Sequence, residues 1–450
     1  MSFEDLENSI KNAVKRFKSL EGKVKIVSHN DCDGICSASI MLKALKREDR
    51  IFSLKFVTVL SDEALKEISE CDEPIIFITD LGSSNIESIN KYLKNKQVFI
   101  LDHHQISSIE ELNNITHINP FLFELDGKDI SGSGVTYLFT KYLNEENIEN
   151  AYIAVTGAIA DIQERNGFDG LNKIILEDAL PKIEIKKGLR IFGYTSKPIH
   201  KVLMQSYDPF IPEVSGNELG AIKFLEQNDI KYRDKDKFRT ISDLDENELK
   251  KLIEAIIISR LNTEKNPEDV IGNIYLVNNE EGIFSNLQEI TSIINACGRL
   301  DKYFTGVGVL LNNKKSRKEA LTIWDEYKQE LIKSLEWIYS NKDKFTETDK
   351  IIIINVKNNI KENIISPISS LISRSIYYNK MLFILGYTKE NKIKVSSRYR
   401  GNNEVNLKEI LENVTNEYKL NLGGHKNAAG CILDIKDEER FISDLLNYFK

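Results

Sequence analysis

Short apolar runs alternate with helix-like segments along the first third of the chain. The runs typical of buried strands are at residues 24–27, 52–59, 75–78 and 98–101. The intervening segments with helical spacing are at residues 35–46, 62–69 and 84–93. This alternation predicts an α/β fold built on a parallel, doubly wound sheet with helices on both faces. Ligands of such sheets lie beyond the carboxyl ends of the strands.

The pattern continues with helices and a second group of strands. Helices are predicted at 132–142 and 148–160, and a longer one at 316–339 is predicted to connect two domains. The C-terminal elements are strands at 351–356, 381–387 and 392–397 and a helix at 438–449. They indicate a smaller C-terminal α/β domain.

The middle of the chain has a different character. Residues 170–285 are rich in Lys and Glu and contain Pro-marked turns. Ser242, followed by Asp245 and then by regularly spaced Leu and Ile residues, predicts a capped amphipathic helix. We therefore expect a mostly helical insertion.

Composition limits the functional classes. The 450 residues are 41% hydrophobic and 29% charged, as in globular proteins of two or three domains. No apolar run reaches the length of a membrane span, so we expect a cytoplasmic protein without a membrane partner. The five cysteines form no Cys-x-x-Cys pair, which argues against a disulfide framework or a structural zinc site. The net charge of −8 means that any basic surface for nucleic acid must be local.

Polar side chains follow three of the predicted strands where each strand ends. These side chains, together with one at the end of helix 148–160, are His29, Asp31, Asp33, Asp80, Asp102, His103, His104 and Asp161. Because the carboxyl ends of parallel strands share one edge of the sheet, we expect these groups to converge there.

Imidazole and carboxylate ligands suit manganese or a similar first-row metal, and two such ions can hydrolyse a phosphodiester. An extended backbone through His29, Asp31 and Asp33 would direct the three side chains the same way, and Gly34 would let the chain turn into a helix. Taken singly, each Asp is better explained as a helix cap and each His as a hydrogen-bonded residue. Taken together, the set predicts a two-metal hydrolase site. His117 and His200 lie outside these motifs and are expected to be structural.

The order of the motifs resembles the DHH phosphoesterase superfamily. Residues 29–34, Thr79-Asp80, 102–104 and 157–161 look like its motifs I to IV. Residues 423–430 resemble the glycine-rich signature of the DHH-associated domain. Residues 295–299 are similar to the Asn-Ala-x-Gly-Arg element of RecJ-type exonucleases, and the insertion with 188–193 is similar to archaeal RecJ-like proteins.

The resemblance implies a division of the chain and a role for each motif residue. The domains would be a DHH catalytic core at 1–169, the insertion at 170–285, a return to the catalytic domain with the connecting helix at 286–345, and a DHH-associated substrate-binding domain at 346–450. The metal ligands would be His29, Asp31 and Asp80 for one ion, and Asp33, Asp80, His103 and Asp161 for the other. The catalytic groups would be Asp102, which orients a histidine, and His104 at the scissile phosphate or leaving group. The phosphate-binding residues would be Arg299, Arg374, Arg398, Gly423, Gly424 and His425.

The same resemblance implies two divalent ions, Mn²⁺ by preference with Mg²⁺ or Co²⁺ as alternatives. The leading function is a single-strand-specific exonuclease of DNA replication or repair, acting on DNA with RNA as a further substrate and releasing mononucleotides. Only 20 residues follow Gly430, so we expect no room for the C-terminal OB-fold of bacterial RecJ. One alternative is an oligoribonuclease or cyclic-dinucleotide phosphodiesterase. Another is a replisome scaffold bound to replicative helicase or GINS-type proteins.

Overall fold

In the computed structural model, the described part of the chain consists of residues 3–106, 112–164, 167–194, 197–206, 209–261, 266–375, 379–401, 404–416, 418 and 422–450. The chain divides into two compact units. The first comprises Met1–Gly188 and Gly272–Trp324, and the second comprises Leu189–Ile271 and Asp325–Lys450.

Helices and strands alternate through the N-terminal region, as the apolar pattern predicts. In chain order these elements are α1 (Phe3–Ser19), β1 (Val24–His29), α2 (Cys32–Arg47), β2 (Phe52–Val57), α3 (Asp62–Ser69), β3 (Ile75–Thr79), α4 (Ile86–Leu93), β4 (Gln97–Leu101), β5 (Ile115–Ile118), α5 (Gly132–Leu143), α6 (Ala151–Ala160) and α7 (Gly170–Ala179). All five strands are parallel, in the spatial order β2-β1-β3-β4-β5. The α/β fold class with a parallel sheet is confirmed. The sequence pattern missed β5, whose four residues include Thr116 and His117.

Alternate residues of the central strands point to opposite faces, and each face has its own apolar core. Ile76 and Ile78 of β3 pack with residues of α3 and α4. Phe77, between them, points the other way and stacks on Phe99 with a centroid distance of 4.8 Å. Phe17 of α1 meets Phe77 edge-on at 5.1 Å. The sheet is therefore covered on both sides, and its carboxyl edge is left for the polar residues that follow the strands.

The insertion combines helices with short strands. Its elements are β6 (Ile183–Leu189), α8 (Ile199–Met204), α9 (Glu218–Gln227), β7 (Arg233–Asp234), β8 (Lys237–Phe238), α10 (Glu246–Arg260) and β9 (Ile271–Val277). The strands β6 and β9 pair with each other, as do β7 and β8. The expectation of a mostly helical segment therefore missed four strands, of which β7 and β8 have only two residues each.

The N-cap of the predicted helix lies at Asp245, three residues after Ser242, the first capping residue that the sequence offers. Asp245 is the N-cap of α10, and its Oδ1 accepts a hydrogen bond from the Glu248 N–H at 2.8 Å. Glu248 Oε2 in turn accepts from the Asp245 N–H at 3.2 Å, which completes a capping box. Ser242 lies in a single 3₁₀ turn before the helix. Asp245, the candidate closer to the regularly spaced Leu and Ile residues, is thus the N-cap.

The remaining elements end the first unit and build the C-terminal part of the second. They are α11 (Leu287–Arg299), α12 (Tyr303–Leu310), α13 (Lys314–Ser340), β10 (Thr346–Glu347), β11 (Ile351–Lys357), α14 (Glu362–Ser375), β12 (Met381–Tyr387), β13 (Lys392–Tyr399), α15 (Leu407–Val414), β14 (Leu422–His425), β15 (Ala428–Asp434) and α16 (Glu438–Tyr448). Their strands form a six-stranded sheet in the order β10-β11-β12-β13-β15-β14, in which only β11 and β12 are parallel. Separate apolar cores contain Phe383 and Leu385, and Leu382 and Ile384. The second, C-terminal sheet domain is thus confirmed.

Among the described helices, none combines the length and the apolar character that crossing a membrane requires.

Candidate metal centre

The turn from β1 into α2 places the first two polar motif residues. β1 ends at His29, and Asp31 is the N-cap of α2, where its Oδ1 accepts from the Gly34 N–H at 3.0 Å. Behind the turn, the buried Ser28 hydroxyl donates to the Gly34 carbonyl at 2.7 Å. His29 Nδ1 lies 3.0 Å from Asp31 Oδ2. The cap and the buried hydroxyl thus fix both side chains at the carboxyl edge of the sheet.

The expectation of an extended backbone from His29 to Asp33 is wrong beyond Asp31. Asp31 starts the helix, so Asp33 lies in the first turn of α2 and points to a different part of the edge. Its buried carboxylate accepts from the Ser133 N–H, with its Oδ1 at 3.2 Å. Asp33 consequently groups with His103 and Asp161, whereas His29 groups with Asp31 and Asp80.

Asp80 lies between these two groups. The residue follows β3 with a φ of 60°, a left-handed conformation that Asp tolerates better than most residues. Its N–H still donates to the Leu101 carbonyl at 2.9 Å, so the backbone continues the ladder while the side chain leaves it. Asp80 Oδ2 is 3.5 Å from His29 Nδ1, and Oδ1 is 3.5 Å from His103 Nε2. One buried carboxylate thus faces both groups.

The residues after β4 divide into a buried anchor and two histidines. Asp102 Oδ2 accepts from the Ser83 N–H at 2.9 Å, and Oδ1 accepts from the His103 N–H at 2.8 Å. The same Oδ1 lies 2.8 Å from His104 Nδ1. Asp102 therefore orients His104, whose side chain remains 44% exposed. Asp80, His103 and His104 also lie close enough to form a third candidate ligand group.

The ring of His103 is oriented by a backbone carbonyl. His103 Nδ1 lies 2.9 Å from the Gly127 carbonyl, which only accepts, so Nδ1 carries the proton. The opposite nitrogen, Nε2, lies 3.2 Å from Asp161 Oδ2 and 3.5 Å from Asp80 Oδ1, so it is the ring nitrogen available to a metal. A hydrogen bond of this kind on the far nitrogen is the usual way in which proteins prepare a histidine to bind a metal.

Four buried atoms in this cluster make no hydrogen bond of ordinary geometry within the described residues: His29 Nδ1, both carboxylate oxygens of Asp80, and His103 Nε2. Buried polar atoms without partners cost stability, and native proteins rarely keep them without a role. Divalent cations in the two ligand groups would satisfy all of them, and the mixed imidazole and carboxylate set fits Mn²⁺ or a similar ion.

The pKa values of the clustered side chains also favour a metal-binding site. Burial raises the pKa of Asp33, and the Asp80 and Asp161 carboxylates raise it further. Burial also raises the pKa of Asp161 to about 7, with Asp80 adding to the shift and His103 opposing it. Burial favours the neutral form of His29, but the Asp31 and Asp80 carboxylates together outweigh that effect and raise the pKa of the imidazole. Without cations, the cluster therefore holds protons that a metal would displace.

Sequence reasoning missed the parts that support these ligands. The Ser133 N–H and the Gly127 carbonyl contact Asp33 and His103 through the backbone, which no side-chain motif reveals. The run of small residues at 131–134, at the start of α5, was the only signal available for Ser133. His117 Nε2 lies 2.8 Å from the Ser83 hydroxyl, next to the Asp102 anchor, and belongs to none of the three ligand groups. His200 lies in the insertion, 3.7 Å from Glu218.

The predicted phosphate-binding residues fall in both units. Arg299 ends α11 in the first unit. The positive charge of Arg299 joins the larger effect of His29 in lowering the pKa of Asp31 against the opposing effect of burial. In the second unit, Arg398 Nε donates to the Ser370 hydroxyl at 2.8 Å. Gly423, Gly424 and His425 form β14, paired with β15 across the glycine-rich hairpin. Arg374 lies in α14, and its side chain and that of His425 are outside the described part of the structure.

Three family models match the chain in sequence. The DHH family N-terminal domain matches residues 23–162, the DHH-CID domain matches 191–273, and the DHHA1 domain matches 348–450. The chain belongs to the DHH superfamily. Its relatives include an uncharacterized protein, MJ0831, of Methanocaldococcus jannaschii, which is 29% identical over 461 residues that span 98% of this chain and 96% of that protein.

Solved structures show that this DHH protein has a RecJ-like fold. A crystal structure of exonuclease RecJ bound to manganese has a TM-score of 0.60 at 15% identity, covering 98% of this chain and 94% of that one. RecJ in complex with Mn²⁺ from Thermus thermophilus has a TM-score of 0.62 at 15% identity, covering 100% of this chain and 55% of that one. CDC45 from Entamoeba histolytica has a TM-score of 0.64 at 12% identity, covering 100% and 98%.

We predict that Mn²⁺ binding stabilises the protein and releases protons. Asp161 has a pKa of 3.8 in the unfolded chain and of about 7 in the metal-free fold. Its contribution to the free energy of unfolding is therefore fully present below pH 3.8 and is lost as the pH rises to about 7. Metal affinity should rise over the same interval because Mn²⁺ then displaces fewer protons. Free Mn²⁺ at about 100 times its Kd should add about 2.7 kcal/mol to the free energy of unfolding. Thermal melts and calorimetry in buffers of different ionisation enthalpy measure both effects. An unchanged Tm, with no proton release near pH 6, would contradict the assignment.

A second prediction concerns Gly157 of α6. A Cβ atom there would lie 2.1 Å from both Asp33 Oδ1 and the Ser133 hydroxyl. Gly157→Ala should therefore displace Asp33 and weaken Mn²⁺ binding about 10- to 100-fold, as disturbed supporting contacts of metal ligands do. Gly306→Ala is the matched control, since the nearest atoms to its Cβ would be side-chain carbons of Ile35 and Cys297, at 3.3 Å and beyond. Equal Mn²⁺ affinity in the two variants would contradict the prediction.

Proposed function

We propose that this DHH protein is a metal-dependent phosphodiesterase, specifically a single-strand exonuclease that releases mononucleotides from DNA, with RNA as a further substrate. The observation that carries the proposal is the set of buried atoms of His29, Asp80 and His103 that make no hydrogen bond of ordinary geometry and that the sheet brings together at one edge. The likeness of the fold to RecJ and to CDC45 supports a role in DNA replication or repair, with replicative helicase or GINS-type proteins as candidate partners.

The ligand groups support two ions with Asp80 shared between them. His29, Asp31 and Asp80 would hold one ion, and Asp33, Asp80, His103 and Asp161 the other. Bound there, such ions would supply an activated water at neutral pH and neutralise charge on the phosphoryl oxygens. Mn²⁺ is the preferred ion, with Mg²⁺ and Co²⁺ as alternatives.

His104 is the proposed proton donor or phosphate contact. Burial disfavours its charged form, but the hydrogen bond to Asp102 and the negative charges of Asp102 and Asp80 together outweigh burial and raise the pKa of the imidazole. With Nδ1–H held by Asp102, Nε2 is the nitrogen left to donate to a phosphate oxygen or to the leaving group. The partial exposure of the ring leaves room for that contact.

The remaining phosphate contacts are proposals on weaker support. Arg299 is favoured by its electrostatic effect on Asp31. In the DHHA1 domain, Arg374, Arg398, Gly423, Gly424 and His425 would bind a terminal or neighbouring phosphate, with backbone N–H groups of the hairpin contributing. The presence of this domain favours a nucleotide substrate over pyrophosphate.

The fold alone does not separate an exonuclease from the two alternatives, because RecJ and CDC45 both match the whole chain. The site does favour an enzyme over a replisome scaffold. Buried carboxylates without partners reduce the stability of a fold. A scaffold gains nothing from keeping them, whereas a metal enzyme needs them. An oligoribonuclease or cyclic-dinucleotide phosphodiesterase would use the same metal centre, so only substrate length distinguishes it.

The test of the proposed function uses end-labelled DNA and RNA strands of graded length with Mn²⁺, Mg²⁺ or chelator. We expect Mn²⁺-dependent release of mononucleotides from long single strands. Asp80→Asn, which keeps the shape but loses the charge, should lower turnover at least about 100-fold. Asp62→Asn, on the exposed start of α3, is the control and should retain activity. Cleavage of dinucleotides alone would select the oligoribonuclease alternative. Retention of a helicase partner without any cleavage would select the scaffold.

His103 and His104 should respond differently to substitution. His103→Gln removes a proposed ligand, so both turnover and the stabilisation by Mn²⁺ should fall. His104→Gln should lower turnover about 100-fold while the stabilisation by Mn²⁺ stays near that of the wild type, as expected for a general acid. Because the pKa of His104 is raised and its acid form is needed, wild-type turnover should fall as the pH rises above that pKa. Loss of Mn²⁺ stabilisation in His104→Gln would instead make this residue a ligand.

A further inference from the structure

Three aromatic side chains lie together at the edge of the parallel sheet, beside the metal-binding turn. Phe56 is near the end of the edge strand β2 and pairs in register with Ser28, the residue before His29. Tyr303 and Phe304 begin α12. The Phe56 ring lies 5.2 Å from the Tyr303 ring and 5.8 Å from the Phe304 ring, the second pair being edge-to-face. We call these three residues the aromatic platform.

Asn30 connects the aromatic platform to His29 and Asp31, the candidate metal ligands that precede and follow Asn30 in the sequence. Its Nδ2 donates to the Thr58 hydroxyl at 3.0 Å, just after β2. Its side chain is also hydrogen-bonded to Tyr303. The Asn30 carbonyl lies against Gly298, where a Cβ would come within 2.3 Å of the oxygen. The turn between α11 and α12 is thus packed directly on the segment that holds His29 and Asp31.

The aromatic platform is rigid, but one of its rings is not used by the core. Tyr303 also hydrogen-bonds to the Asp301 carboxylate, and burial, together with that contact, raises the pKa of Tyr303 to about 12, so the hydroxyl keeps its proton. Phe304 remains 64% exposed. A single exposed apolar residue is ordinary on a protein surface. Here, however, the exposed Phe304 ring lies against Phe56 and Tyr303, next to a candidate catalytic site. Packing within the protein accounts for the positions of Phe56 and Tyr303 but not for the exposure of Phe304.

The same turn also supplies a positive charge. Arg299 lies four residues before Tyr303, and its positive charge helps to lower the pKa of Asp31. A nucleotide has a matching division, with an anionic phosphate at one end and a flat base at the other. Aromatic rings stack on any base, since every base has a π-face, and such stacking is the common means of holding single strands without sequence preference.

We propose that the aromatic platform, through Phe304, stacks on a base of the nucleic-acid strand beside the scissile phosphate. This inference rests on the proposed function and adds a base-binding site to it. The site positions the strand and is independent of base identity. A duplex would not fit this role, because its bases are already stacked on one another.

The test compares Phe304→Ala, Phe304→Leu and Phe304→Trp with the wild type. Equilibrium binding of short oligothymidylate is measured in the Asp80→Asn background, which removes turnover, and KM and kcat are measured in the active protein. Each measurement is repeated with strands that carry abasic residues at successive positions. Ile51→Ala is the control, because Ile51 is 67% exposed next to the opposite end of the same edge strand.

We expect Phe304→Ala and Phe304→Leu to weaken binding and raise KM about 5- to 100-fold, the range that loss of one stacked base implies. Phe304→Trp should bind as well as the wild type or better, and kcat should change little in all three variants. An abasic residue at one position should weaken wild-type binding and abolish the difference between wild type and Phe304→Ala. Ile51→Ala should match the wild type.

Equal affinity of Phe304→Ala and the wild type for the oligonucleotide would overturn the inference. So would a loss of affinity that persists unchanged on every abasic strand, since the effect would then be structural. A wild-type protein that self-associates in sedimentation, and becomes monomeric in Phe304→Ala without a change in oligonucleotide affinity, would assign the platform to a second copy of the chain. Failure of the proposed function shows differently, as absence of cleavage by the wild type, while the binding arm still reports on Phe304.

Discussion

The structure of the first unit depends on one electrostatic constraint, the burial of several carboxylates at one edge of a parallel sheet. Asp33 and Asp80 are almost fully buried, and Asp161 lies close to both. Such charges repel one another, and removing them from water costs several kcal/mol per ion unless they are paired. Protonation relieves the repulsion in part, as the raised pKa values of Asp33 and Asp161 indicate. Divalent cations would neutralise the carboxylates and so remove the repulsion between them. The buried carboxylates are therefore consistent with a metal-binding site.

The surrounding helices are built to meet this constraint. α2 begins at the cap formed by Asp31, α5 directs the Ser133 N–H to Asp33, and α6 approaches closely because Gly157 has no side chain. These contacts hold the carboxylates in place before any ion binds. Preorganisation of this kind lets a site bind metal without the further cost of ordering its own ligands. The positions of Asp31 and Asp33 are thus supported by backbone N–H groups of α2 and α5.

Sequence reasoning was sufficient for strands β1 to β4 and for the convergence of the motif residues, because both follow from local patterns. Buried apolar runs identify β1, β3 and β4, and parallel topology brings the residues after them to one edge. Sequence reasoning failed where the outcome depends on a single cap or on the backbone. The spacing of His29, Asp31 and Asp33 predicted one common direction for the three side chains, but Asp31 caps α2, so Asp33 lies with His103 and Asp161, the group that the family resemblance implied for it. The contacts of Ser133 and of the Gly127 carbonyl are made by backbone atoms, which carry no signature in the sequence. The aromatic platform unites residues more than 240 positions apart, and neither segment suggests the other.

The central claim is that Asp80 joins two metal ions in one site, and electron paramagnetic resonance of the Mn²⁺-loaded protein tests it most directly. Two ions that share a carboxylate are magnetically coupled, so the account predicts an exchange-coupled spectrum that saturates at two ions per chain. In Asp80→Asn, the coupled signal should disappear. A spectrum of isolated Mn²⁺ at saturation, unaffected by this substitution, would contradict the account.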